Sequence, residues 1–191
     1  MGTILNEKYK KFHKPILNPD KTKFKQGYYN IKNRNKYIGS DNPIYRSSWE
    51  EKFCRFCDDS PTILRWGSEP IAIPYKNPIA NLNECKKYNL DPNNPLNWPV
   101  HNYNVDFWIE MDLGNGKVKK IFIEIKPYAQ TQPPQPIPSN ASLAQHRQYI
   151  KSAQTYLVNR EKWRAAKKYC EDRGCEFQVW TERVLHKLGL L

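Results

Sequence analysis

In the stretch Ile121–Pro127, reading I-F-I-E-I-K-P, a carboxylate and an ammonium stand two positions apart. Side chains on a strand alternate between its faces, so Ile121, Ile123 and Ile125 share one face and Phe122, Glu124 and Lys126 the other. Charge in so apolar a strand costs on the order of a few kcal/mol per ion unless a partner or a metal compensates. Taken alone, an E-x-K of this kind reads as a salt bridge on a solvated sheet face. A further acid brought beside it would turn the same residues into a trap for a divalent cation with an amine next to it.

Asp106 is the candidate for that further acid. Tyr103–Leu113 reads as one strand in which Val105, Phe107 and Ile109 alternate with Asp106 and Trp108, so Asp106 points away from the apolar set. Gly114-Asn115-Gly116 is a hairpin signal, and Val118–Lys126 is the returning strand. A three-residue loop closed by a left-handed Gly116 pairs Leu113 with Lys117 and sets Asp106 opposite Glu124. A two-residue Asn115-Gly116 turn instead sets Phe107 opposite Glu124. The first register brings two carboxylates onto one face with Cβ atoms about 4.5–5.5 Å apart, which is unfavourable without a cation between them.

A third acid lies upstream. Ser47 followed by Glu50 has the form of a capping box opening a helix to about Asp59, with Trp49, Phe53, Phe56 and Cys57 as its buried stripe. Glu50 therefore has a plain structural task available, and from the first turn its carboxylate could also reach a cleft.

The remaining elements follow from local pattern. Ile63–Trp66 and Ile71–Tyr75 read as short strands, and residues 76–100, rich in Asn and Pro, as an inserted loop. Four prolines between Gln130 and Ser139 make a stiff connection away from Lys126. Leu143–Arg173 is helical in pattern, with a break expected near Asn159 and an apolar stripe through Tyr149, Ala153, Tyr156, Trp163, Ala166 and Tyr169. The face expected to be exposed carries Arg147, Lys151, Arg160, Lys162, Arg164, Lys167 and Lys168. A strand over Glu176–Thr181 and a short helix from Glu182 close the chain.

With 191 residues, 39% of them hydrophobic, the chain suits one domain with a real core plus a tail. No run approaches the roughly 18 apolar residues that span a bilayer, and no secretory leader is visible, so a membrane is not expected as partner. The five cysteines are expected to be reduced thiols, with a zinc site from Cys54, Cys57, Cys170 and Cys175 as the less favoured alternative. The formal charge of +12 points to a polyanion, nucleic acid above all. Residues 1–40 carry ten Lys or Arg against two acids, interleaved with Tyr and Phe, and read as a basic arm ahead of a domain at 41–191. Lys8, Lys10, Lys11, Lys23, Lys25 and Arg34 of the arm, with Arg46, Arg147 and Lys151 beyond it, are candidate DNA-phosphate contacts. A solvated tail, or an arm lying across the domain's own surface, is the competing reading.

Two sets of residues carry a family resemblance. V-D-F-W at Val105–Trp108 with I-E-I-K at Ile123–Lys126 resembles the PD-(D/E)xK nuclease signature, although Val105 stands where Pro often precedes the first acid. More closely, Y-R-S-S-W-E at Tyr45–Glu50, the V-D-F-W strand and I-E-I-K-P ahead of a proline-rich run resemble the head completion nucleases of T-even-like tailed phages, over roughly residues 27–185. The resemblance implies an α/β, restriction-endonuclease-like core whose mixed sheet is flanked by helices. It also implies Mg²⁺ or Mn²⁺, double-stranded DNA as substrate, and a role in finishing the packaged head before tail joining. Such a protein would work in the host cytoplasm or in the virion at the head–neck region, with portal or neck proteins as partners. By the same resemblance Asp106, Glu124 and the backbone carbonyl of Ile125 hold the metal, and Lys126 orients or deprotonates the attacking water. Glu50 completes the site as an outer acid or a second-metal ligand, and Gln145 with Tyr149 forms a Q-x-x-x-Y seen in some relatives. A head–neck or DNA-end-binding protein with little turnover, and a transposase-type or repair nuclease, are the alternatives.

Overall fold

The structure, a computed structural model, describes residues 26–80 and 82–191. In chain order these form β1 (Gly27–Tyr28), β2 (Ile44–Tyr45), α1 (Ser48–Asp59), β3 (Ile63–Ser68), β4 (Ala72–Lys76), α2 (Leu82–Lys87) and β5 (Val100–Asn104). Then follow β6 (Phe107–Gly114), β7 (Lys117–Ile125), α3 (Tyr128–Thr131), α4 (Leu143–Glu171), β8 (Glu176–Trp180) and α5 (Glu182–Lys187).

The alternating isoleucines make β7 an inner strand of a four-stranded mixed sheet in the order β3-β6-β7-β8. It pairs antiparallel with β6 and parallel with β8. A strand covered on both faces must be apolar on both. Ile121, Ile123 and Ile125 pack with Phe107, Ile109, Phe53, Cys54, Cys57 and Leu185, beneath α1 and α5. Phe122 and Trp108 face the other way, into a second cluster with Ala166 and Cys170 of α4 and with Ile73, Tyr75 and Tyr103 of the β4–β5 ribbon. The chain is thus a mixed α/β fold whose central sheet is flanked by helices.

The long strand expected over Tyr103–Leu113 is two strands. β5 pairs with β4, β6 pairs with β3 and β7, and the chain changes partner at Val105-Asp106. Val105 consequently packs in the cluster that holds Trp108, not with Phe107 and Ile109. The break leaves Asp106 outside both ladders, just ahead of the first residue of β6. Residues 76–100 are not featureless, since they contain α2 and a 3₁₀ turn at Pro95–Asn97.

At the hairpin, Asn115 and Gly116 have φ of +54° and +72°, the left-handed pair that a two-residue primed turn requires. The turn pairs Gly114 with Lys117, but a register shift between Asp112 and Gly114 absorbs Leu113 and restores Phe107↔Ile123. Counted one step further, Asp106 falls opposite Glu124. The loop is the shorter of the two considered, and the register at the site is nevertheless that of the longer.

α4 runs unbroken through Asn159 for 29 residues. The described part of the expected basic arm packs on the domain. β1 pairs with β2, and Tyr29 is buried. The fully buried Asp58 accepts the Tyr29 hydroxyl and the backbone N–H groups of Lys32 and Asn33, so α1 anchors this segment. The zinc alternative meets a geometric obstacle: Cys54 and Cys57 lie beneath one face of the sheet and Cys170 and Cys175 against the other. Among the described residues no helix is long and apolar enough to cross a membrane.

Candidate active site

Three elements end at one place. β7 delivers Glu124 and, just past its last residue, Lys126; the β5–β6 break delivers Asp106; β5 delivers Tyr103. The Asp106 Oδ2 accepts the backbone N–H of Ile125 at 2.8 Å, which ties the break to the end of β7. Glu124 is buried, 3% exposed along its side chain, and both its oxygens are engaged. Oε1 lies 2.8 Å from the Lys126 Nζ, and Oε2 accepts the Tyr103 hydroxyl at 2.6 Å. Lys126 is 27% exposed, so the cluster opens to solvent on the lysine's side.

The electrostatics report crowding of negative charge. Burial, then the Glu124 carboxylate, push the Asp106 carboxyl well above the ordinary carboxylate range, against the opposing pull of Lys126 and the Ile125 N–H. Burial alone would lower Lys126, but Asp106 and Glu124 outweigh it and hold the ammonium in its charged form. Burial, reinforced by Glu124, drives the Tyr103 phenol far upward, so it remains a donor.

Glu50 approaches this cluster without joining it. Its Oε2 accepts the backbone N–H of Arg46 at 2.8 Å and its Oε1 the Ser47 hydroxyl at 3.0 Å, while its own N–H donates to the Ser47 Oγ at 3.1 Å. The cap therefore differs from a capping box in one bond, since the glutamate accepts the backbone N–H of Arg46 rather than that of Ser47. Burial raises its carboxyl, and Lys126 acts on it only as a more distant charge.

The other candidate residues are scattered. Arg34 donates to the carbonyls of Gly39 and Ser40 and lies over the Tyr37 ring at 5.3 Å, so its charge is already committed within the fold. Arg46 forms a salt bridge with Glu69, whose own backbone stands at φ +45° and whose N–H donates to the Asp106 carbonyl at 2.9 Å. This places Arg46 at the margin of the cluster. Arg147 and Lys151 project from the exposed N-terminal half of α4. Gln145 is taken up by the capping box of α4 with Ser142, and Tyr149 makes no hydrogen bond to the acids among the described residues. Lys8, Lys10, Lys11, Lys23 and Lys25 lie outside the described residues.

Two participants escape the sequence pattern. Tyr103 is unmarked among the chain's many tyrosines until the β5–β6 break turns it toward Glu124. Lys162, expected on the exposed face of α4, is on its inner one, with its Nζ 5.4 Å from the Tyr103 ring centre and 5.7 Å from that of Tyr75. The signal was present: Lys162 follows the buried Asn159 by three residues and precedes the buried Ala166 by four.

Among the described residues, no three His, Cys, Asp or Glu side chains come together as a metal site. The donor set is two carboxylates and a neighbouring backbone carbonyl, all hard oxygens. That suits Mg²⁺ or Mn²⁺, which take one or two protein carboxylates and keep several waters.

Sequence comparison places these residues in context. The family described as TnsA-like endonuclease N terminal matches residues 60–182, a span that contains Tyr103, Asp106, Glu124, Lys126 and Lys162. The head completion nuclease of Enterobacteria phage T4 is 35% identical over 159 residues, covering 83% of this chain and 91% of that protein. The chain belongs to the TnsA-like endonuclease family and is a homologue of the phage head completion nuclease.

Proposed function

We propose that the protein is a metal-dependent endonuclease of the PD-(D/E)xK type that hydrolyses phosphodiester bonds of double-stranded DNA during phage head completion. The observation that carries this reading is the convergence of Asp106 and Glu124 across the β6–β7 ribbon, with Lys126 on Glu124. The family match and the T4 relative support both the reaction and its setting.

In this reading Asp106 and Glu124 hold Mg²⁺ or Mn²⁺, with the Ile125 carbonyl next to them. The ion would polarise the phosphoryl oxygen and lower the pKa of a bound water. The Ile125 N–H fixes the orientation of Asp106, and Tyr103 does the same for Glu124. Lys126, held positive by the two acids, donates hydrogen bonds and offsets the charge that develops on the phosphate oxygens. A cation held this firmly is suited to orienting the attacking water rather than deprotonating it. Glu50 acts one layer out, through Arg46 and Ser47. Arg147 and Lys151, and the lysines of the N-terminal arm, would supply phosphate contacts away from the cut. The proposal extends to action in the host cytoplasm and to docking on portal or neck proteins, in keeping with the head completion named for the T4 relative.

The test is incubation of the purified protein with supercoiled plasmid and Mg²⁺ or Mn²⁺ beside Asp106→Ala. Conversion to open-circular or linear DNA by the wild type alone is expected. DNA binding without cleavage in either metal would reject the enzymatic reading and leave a DNA-end-binding protein.

A further inference from the structure

A lysine in the core-facing stripe of a helix needs a reason. Asn159, Lys162 and Ala166 recur at helical spacing on the side of α4 that packs toward the β4–β5 ribbon and β8. Lys162 is the charged member of that stripe, and Tyr75 and Tyr103 frame its ammonium. Two of its neighbours on α4 find acids close by in the chain: Arg164 pairs with Glu161, and Lys168 with Asp172 just past the helix end. Among the described residues Lys162 pairs with no carboxylate. Burial and the neighbouring Lys126 charge push the ammonium's pKa down, and Glu124 and Asp106 pull it only part of the way back. A solvated position would have avoided that cost, and an ion pair would have consumed the charge.

Tyr103 joins Lys162 to the acids. Its ring carries the lysine, and its hydroxyl donates to the Glu124 Oε2, so the two cations flank Glu124 from different sides: Lys126 directly on Oε1, Lys162 across the tyrosine. One turn earlier on the same face, Asn159 is buried with an Nδ2 that has no hydrogen-bond partner among the described residues.

We propose that Lys162 is a substrate-binding residue that contacts a DNA backbone phosphate beside the scissile one, held ready by Tyr75 and Tyr103. The proposal rests on reading the Asp106–Glu124 cluster as a nuclease centre. The rings hold the flexible stem without neutralising it, and an arriving phosphate provides the missing counter-charge.

The experiment uses the full chain in two arms. In the first, plasmid cleavage in Mg²⁺ is followed at varied DNA concentration for wild type, Lys162→Met and Lys162→Arg. In the second, binding to a short duplex is measured across a salt series on an Asp106→Asn background, with and without Lys162→Met. Lys162→Met is expected to raise KM by about ten- to a hundredfold, the loss of one charged hydrogen bond, with a smaller effect on kcat. It should also reduce the salt slope of binding by about one, and Lys162→Arg should restore most of both. Melting curves check the fold, and Lys162→Gln carries the same comparison should the Met variant unfold. Unchanged affinity and an unchanged salt slope in a folded variant overturn the proposal. If wild type fails to cut, the nuclease reading falls, whereas the duplex arm still decides whether Lys162 meets phosphate.

Discussion

The Asp106 carboxylate accepts the backbone N–H of Ile125 at 2.8 Å, so the strand break at Val105-Asp106 is stitched to the residue that follows Glu124. One hydrogen bond therefore fixes the spacing of the two acids. It also leaves Asp106 desolvated beside a second negative charge, and its carboxyl titrates well above the usual range.

That shift has a signed consequence for stability. Folded Asp106 holds its proton more tightly than the unfolded chain does, so stability falls as pH rises from about 4, the unfolded value, through the raised folded value. Above that window the penalty is fully present. Asp106→Asn keeps an oxygen for the Ile125 N–H and cannot ionise. In chelator at neutral pH this variant is expected to be more stable than wild type by about 1–3 kcal/mol, with the gain fading toward pH 4. Thermal melts across a pH series measure this; equal melting of the two proteins at neutral pH contradicts it. Mg²⁺ should raise the melting temperature of wild type and not of Asp106→Asn, because binding to the folded state alone stabilises it.

Lys126 tests the other half of the cluster. Truncating it leaves the buried Glu124 with the Tyr103 donor but without its ion partner. Lys126→Ala is expected to lower cleavage by about 10²–10⁴-fold and stability by roughly 1–3 kcal/mol. Lys126→Arg should recover the stability and little of the rate, since a planar guanidinium does not reproduce a point donor. Parallel cleavage and urea-unfolding curves separate the two effects, and an Arg variant as fast as wild type would refute a positional role.

Tyr103→Phe removes a single donor, the 2.6 Å bond to the Glu124 Oε2, and retains the ring beneath Lys162. Metal affinity is expected to weaken by about tenfold or more, because outer hydrogen bonds orient the ligating oxygens. Binding of DNA in the absence of metal should be unaffected. Titration of Mn²⁺ against cleavage rate reads the first, and a duplex-binding curve in chelator the second.

The parts of the site legible in the sequence are those where one local period decides the matter. Ile121, Ile123 and Ile125 alternate without interruption, which fixed the faces of β7 and hence the direction of Glu124 and Lys126. The same alternation misleads at Val105: Val105, Phe107 and Ile109 keep the beat while the backbone leaves one ribbon for another, and periodicity carries no information about which strand is paired. The charge of Lys162 points to solvent, whereas the helical position it shares with Asn159 and Ala166 points inward. The register was ambiguous because a turn and a bulge can trade one residue. The segment from Gly27 to Lys36 reads as an arm in the sequence because its anchor, Asp58, sits far along the chain in α1.

That trade of a residue makes the hairpin a remote determinant of the active site. Asn115 stands at φ +54°, where a side chain branched at Cβ is strongly disfavoured and glycine is at ease. Asn115→Val is expected to cost about 1–2 kcal/mol, and Asn115→Gly to stay within a few tenths of a kcal/mol of wild type. If the turn relaxes into the three-residue loop, Leu113 leaves the bulge to pair with Lys117 and the register outward from Asp112↔Val118 is kept; only loss of the bulge with the two-residue turn retained shifts it by one. A one-residue slip would send Asp106 past Glu124 and turn the apolar set of β6 to the wrong face. The buried Phe107 and Ile109 resist that slip, so Asn115→Val should lose stability first and keep its cleavage rate wherever it remains folded. Cleavage assayed below the melting transition, beside hydrogen exchange of the β6–β7 amides, measures the coupling. A folded Val variant that has lost activity would show that the turn, and not the core, holds the two acids opposite each other.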